Sequence, residues 1–119
     1  MKSISTVLFG VLTFILLGLG FASAKDMTYT GEIMDSSCAK EGSHATMMKK
    51  HDIKTEKECT NGCVKMGGKY VLYDSATKKV YELDDQKKGE QFAGEKVKVT
   101  GTFDKASKTL HVSDITAAS

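Results

Sequence analysis

Lys96-Val97-Lys98-Val99-Thr100-Gly101-Thr102-Phe103 alternates cleanly, with Val97, Val99 and Phe103 facing one way and lysine and threonine the other. A period of two residues is that of a half-buried strand. After the turn Asp104-Lys105-Ala106-Ser107-Lys108, the run from Thr109 to Ile115 returns, with Leu110 and Val112 as cross-strand partners. Upstream, Lys69 to Asp74 and Lys79 to Leu83 are apolar and aromatic runs joined by Ser75-Ala76-Thr77-Lys78, which reads as a hairpin. Met27 to Met34 alternates as well, Tyr29 and Ile33 against Thr28, Thr30 and Glu32. Asp84 to Ala93 is polar and has room for one helical turn before Gly94.

Five short strands in so short a chain must hide their edges, and rolling into a small barrel does so economically. The phrase Ala93-Gly94-Glu95-Lys96-Val97-Lys98-Val99-Thr100-Gly101-Thr102 resembles a long curved strand of bacterial OB-fold proteins. The fold expected is therefore mainly β, an OB-like five-stranded barrel with a short helical Cys/His insertion between strands 1 and 2. A two-layer α+β sheet is the alternative.

The amino terminus carries Lys2, an apolar run from Val7 to Phe21, and then Ala22-Ser23-Ala24. That is the three-part pattern of a secretory signal peptide with a small-residue cleavage site, so residues 1–24 are expected to be removed after Ala24. An uncleaved membrane anchor is the rival, because the run is about as long as the shortest spanning helices. Lys25 to Ser119 then forms one exported domain, periplasmic or extracellular, with no stable membrane insertion after cleavage. Its 16 lysines stand against 15 acids, formally +1, with no arginine and with the two signs interspersed. Phosphate and base recognition lean on arginine forks, which argues against nucleic acid as a partner.

Between Asp35 and Gly68 the alternation disappears and Met, Lys, Glu, Cys and His take over. Thr55-Glu56-Lys57-Glu58 has the form of a capping box, which predicts a helix from Glu56 to about Met66, stopped by Gly67-Gly68. Asn61-Gly62 weakens its middle, glycine costing about 1 kcal/mol against alanine. Cys38, His44, His51, Cys59 and Cys63 fall within 26 residues and include every cysteine of the chain. Thiolate, thioether and imidazole are the donors that suit Cu(I) or Zn. On a helix Cys59 and Cys63 share one face with Met66 a turn further on. Cys38 and His44 could then complete a three-Cys, one-His tetrahedron.

An exported small domain also uses cysteines as cross-links. Three single bridges are open: Cys38 to Cys59, Cys38 to Cys63, or Cys59 to Cys63. A bridge from Cys38 to the helix would close a loop of some twenty residues, worth about 2 to 4 kcal/mol. A third reading is thiol redox chemistry through Cys59 and Cys63, although the reactive motif of that class is CxxC beside a βαβ pattern. A CxxxC pair with a separate His is similar to the arrangement in copper chaperones that serve cytochrome oxidase assembly. Their thioredoxin-like fold does not suit this strand order.

Taken whole, residues 29–115 resemble an uncharacterised family of small exported bacterial proteins. The matching elements are Gly31 to Cys38, His44, Cys59 to Gly67, Lys69 to Leu72, and Ala93 to Gly101. The resemblance implies that Asp35, Cys38, His44, Cys59 and Cys63 belong to one shared unit, and it supplies no activity; Met66, from its place on the helical face, and Asp35 are read as supporting residues. His51 and His111 fall outside it and read as surface residues.

The remaining chemistry is thin. Asp84-Asp85 and Glu32 with Asp35 read as solvated strand ends. No serine sits in a nucleophile elbow and no glycine loop cradles phosphate. Tyr70, Tyr73 and Tyr81 read as cross-strand packing, with a ligand-stacking face as the alternative. The competing functions are a metal-binding or cross-linked domain, a module for a small molecule or protein partner with structural cysteines, and a thiol redox protein.

Overall fold

The computed structural model describes residues 25–118. The signal peptide expected over residues 1–24, with its cleavage after Ala24, lies outside the described residues. The chain runs β1 (Met27–Asp35), α1 (Ser36–Glu41), α2 (Ala45–Lys50), α3 (Glu56–Lys65), β2 (Tyr70–Asp74), β3 (Lys79–Leu83), α4 (Gln86–Gln91), β4 (Lys96–Asp104) and β5 (Thr109–Ala117). The five strands close into a ring in the order β1-β2-β3-β5-β4. All neighbours are antiparallel except β3 and β5, which run parallel.

β1 makes closure possible by serving two partners. Met27 to Glu32 pairs with β4, and Glu32 to Asp35 pairs with β2. The ring closes through only two residue pairs between β3 and β5, and that closure sets aside the open two-layer alternative. The expected pairing of β4 with β5 holds at Phe103 opposite Leu110, whereas Val112 falls opposite Gly101 because the register shifts between Thr100 and Gly101. Such a bulge increases local twist and helps a short strand bend round the ring.

The side chains of Ile33, Leu72, Val97, Val99 and Leu110 are fully buried inside the ring. Each contributes on the order of 1.5 to 3 kcal/mol by leaving water. A second apolar layer lies outside the ring, where Met34 and Val71 meet Cys38, Ala39 and Cys59 from the helices. This covering explains why the alternation of β1 fails at its end: Ile33, Met34 and Asp35 are all buried, since both faces are covered there.

The helices follow from local chemistry. Thr55 caps α3, its hydroxyl accepting from the amide of Glu58 at 3.1 Å, as the capping box predicts. The Gly67-Gly68 stop operates too, with both amides turned back onto the carbonyls of Val64 and Cys63. Asn61, awkward in a helix interior, docks α3 by accepting from the Tyr70 hydroxyl at 2.7 Å. Gly94 sits at φ 75°, and a β-carbon there would meet the backbone of Glu56 and Lys57. Only glycine lets the first turn of α3 come this close to the strand end. Among the described residues no helix is long and apolar enough to cross a membrane.

Candidate metal centre

Asp35 ends β1 and begins α1. One oxygen of its carboxylate, Oδ2, accepts from the amides of Ser37 at 2.9 Å and Cys38 at 3.1 Å, capping a helix of six residues. Its other oxygen, Oδ1, is buried without a hydrogen-bond partner, facing Gly68, where any side chain would collide with it. The αL residue Gly42 closes α1 with bonds back to Cys38 and Ala39. These caps fix Cys38 at the middle of a short, rigid segment laid over β1 and β2.

α3 brings the other two thiols. Cys59 and Cys63, one turn apart, both face Cys38, so that the three Sγ atoms all lie within 4.8 Å of one another. Cys38 and Cys59 are buried, Cys63 is half-buried, and all three are free thiols. Burial, then the neighbouring thiols of Cys59 and Cys63, push the Cys38 thiol up to about 12. Burial and Cys63 push the Cys59 thiol up as well. Three thiolates this close repel one another in a dry site; a cation among them reverses that balance.

His44 does not complete this set. Its imidazole is buried at the start of α2 with Nε2 3.1 Å from Oε1 of Glu32, and it groups with Glu32 and Glu56 instead of the sulfurs. The physical reason is register: Glu32 lies on β1 beside the base of α3, and the turn after Gly42 carries His44 back to that strand. Burial alone would raise the Glu32 carboxyl, but hydrogen bonds from His44 and Glu56, helped by the charges of His44 and Lys96, hold it below the usual range. Glu56 is pushed up by desolvation and by the neighbouring Glu32 carboxylate. Sequence spacing could not find this group, because Glu32 and Glu56 join it only through the fold.

Met66 also departs from expectation. α3 ends at Lys65, so Met66 leaves the helical face and stands 80 % exposed. With Met47 it lines a small cavity of about 360 Å³ that reaches Cys63 from solvent. The two histidines read as surface residues are at the surface: His51 is exposed at the end of α2, and His111 is exposed against Asp84 at 3.2 Å.

No protein family, curated protein or solved structure matches this chain.

Proposed function

We propose that this is an exported, OB-like, non-enzymatic domain whose insertion binds a soft metal ion through Cys38, Cys59 and Cys63. The observation that carries the reading is the convergence of three sulfurs within 4.8 Å on two independently capped helices. Ions of this class sit about 2.3 Å from thiolate sulfur, which in a trigonal arrangement separates the sulfurs by about 4 Å. Closing the trio from its present spacing needs only sub-ångström rotamer adjustment. An all-sulfur set suits Cu(I), and Met47, which lines the same cavity as Cys63, carries a donor of the same kind. Zinc would need a fourth donor, supplied from the same cavity.

The OB-like reading rests on the ring order, on the parallel pairing of β3 with β5, and on α4 placed between β3 and β4. Export rests on the signal-like residues 1–24.

A cross-link is the second reading, although all three cysteines are free and no pair stands at disulfide distance. A Cys38–Cys59 bridge would tie α1 to α3 and leave Cys63 as a thiol beside the cavity. Redox catalysis through Cys59 and Cys63 has less support, because reactive cysteines have lowered thiols and Cys59 is raised.

Intact mass under native and denaturing conditions, with and without alkylation, tests the assignment after anaerobic purification and exposure to Cu(I) or Zn. One ion retained natively and three thiols alkylated after denaturation support the metal site. A protein two mass units light, with one alkylatable thiol and no retained ion, supports the bridge and overturns the metal site.

A further inference from the structure

Beside the sulfur group, and sharing Ser36 with the small cavity at Cys63, a cleft of about 700 Å³ opens between α1, β3 and the β4–β5 turn. Its apolar floor is a row of three rings: Tyr29 lies 5.1 Å from Tyr81, and Tyr81 lies 5.1 Å from Phe103 in an edge-on arrangement. Val71 and Val80 extend that floor. The sequence pointed to Tyr70, Tyr73 and Tyr81 as an aromatic set, but only Tyr81 lines the cleft: Tyr70 is spent on Asn61, and Tyr29 and Phe103 supply the other two rings.

The rim is one-sided in charge. Lys40 comes from α1, Lys79 from β3, and Lys105 and Lys108 from the β4–β5 turn, against the single carboxylate of Glu82. All four lysines are exposed, and among the described residues none is held in an ion pair. In a domain whose lysines and acids otherwise nearly balance, four cations from three separate elements around one apolar trench are a local concentration. Low-dielectric walls lined by one sign of charge focus the field into the trench, and lysine stems lengthen its walls while the ammonium groups stay wet.

We propose that this cleft binds a small organic anion with a flat or apolar body and at least two negative charges. The volume is that of sites which enclose one drug-sized molecule. The rings take its body by stacking and edge contacts. The four ammonium groups, mobile point charges on flexible stems, take its charged ends. Neither a metal at the thiols nor a cross-link there is needed for this site, because all four lysines and all three rings lie outside the sulfur group.

Titration with naphthalene-2,6-disulfonate, followed by amide chemical shifts, tests it. Saturable shifts around Lys40, Lys79 and residues 103–108 are expected. Affinity should fall by about tenfold, equivalent to about 1.4 kcal/mol, in the double variant Lys79→Gln/Lys105→Gln. Uncharged 2,6-dihydroxynaphthalene should bind by a similar factor more weakly, and added salt should weaken the disulfonate. Both lysines are exposed, so the variant should keep the parent's spectrum outside the cleft. Absence of saturable shifts, shifts scattered over lysines elsewhere such as Lys65 and Lys96, or unchanged affinity in the double variant would overturn the proposal.

Discussion

The imidazole of His44, 5 % exposed, lies 3.1 Å from the carboxylate of Glu32 and groups with Glu32 and Glu56, not with the three thiols. His44 thus secures the insertion to β1. Replacing Glu32 by Gln should cost about 1 to 3 kcal/mol at neutral pH, because a buried ring nitrogen loses its charged partner. The sign with pH is definite. Glu32's carboxyl is held low in the folded protein, so its contribution is present above the ordinary carboxylate range and is lost as pH falls through the lowered value. Urea denaturation of parent and Glu32→Gln should therefore show curves that differ at neutral pH and converge in acid. Metal affinity of the thiol trio should be nearly the same in both proteins.

Cys38 carries the opposite sign. Its thiol is raised from 9.0 to about 12, so the unfolded chain ionises first and the folded state loses stability as pH climbs from about 9 towards 12. Cys38→Ala should flatten that alkaline limb. Binding of Cu(I) or Zn, which displaces the thiol protons, should strengthen as pH rises. Denaturation and metal competition across this range check both slopes.

Much of this was legible beforehand, and what was not has a physical cause. The capping box at Thr55, the hairpin around Ser75–Lys78 and the alternation after Lys96 are local signals, and each element formed where its residues placed it. α1 was not foreseen, although Asp35 before it and Gly42 after it are cap residues. With only six residues between them, no apolar period could show. α2 buries no residue and so carries no pattern at all. The site was half legible: Cys59 and Cys63 follow from helical spacing and Cys38 from proximity in sequence. His44 was misplaced because its partner Glu32 lies twelve residues back, across a strand and a helix.

The three cysteines should separate by burial. Cys59→Ser puts a hydroxyl into a fully buried site and should cost about 1 to 3 kcal/mol. Cys63→Ser, at a half-buried position beside solvent, should change stability by about 0.5 kcal/mol or less. Either change should abolish retention of the metal, since both remove one of three donors. Thermal unfolding and native mass, measured on the same samples, distinguish loss of fold from loss of ligand. In the metal-free protein the half-buried Cys63 should alkylate first, with Cys38 and Cys59 following only on unfolding.

Gly94 couples the ring to the centre without touching a sulfur. Its positive φ and the backbone of Glu56 and Lys57 against it leave no room for a β-carbon. Its amide meanwhile donates to the carbonyl of Ile33 at 2.8 Å. Gly94→Ala must therefore either strain this turn or push the first turn of α3 away from β1, and it should cost about 2 kcal/mol or more. The displaced turn carries Glu56, and the same helix carries Cys59 and Cys63. Loss of metal affinity should therefore accompany the loss of stability, whereas Gly62→Ala, which meets open space in the same helix, should stabilise by about 0.5 to 1 kcal/mol and leave binding intact. If Gly94→Ala binds metal as the parent does, the position of α3 on the ring does not set the geometry of the trio.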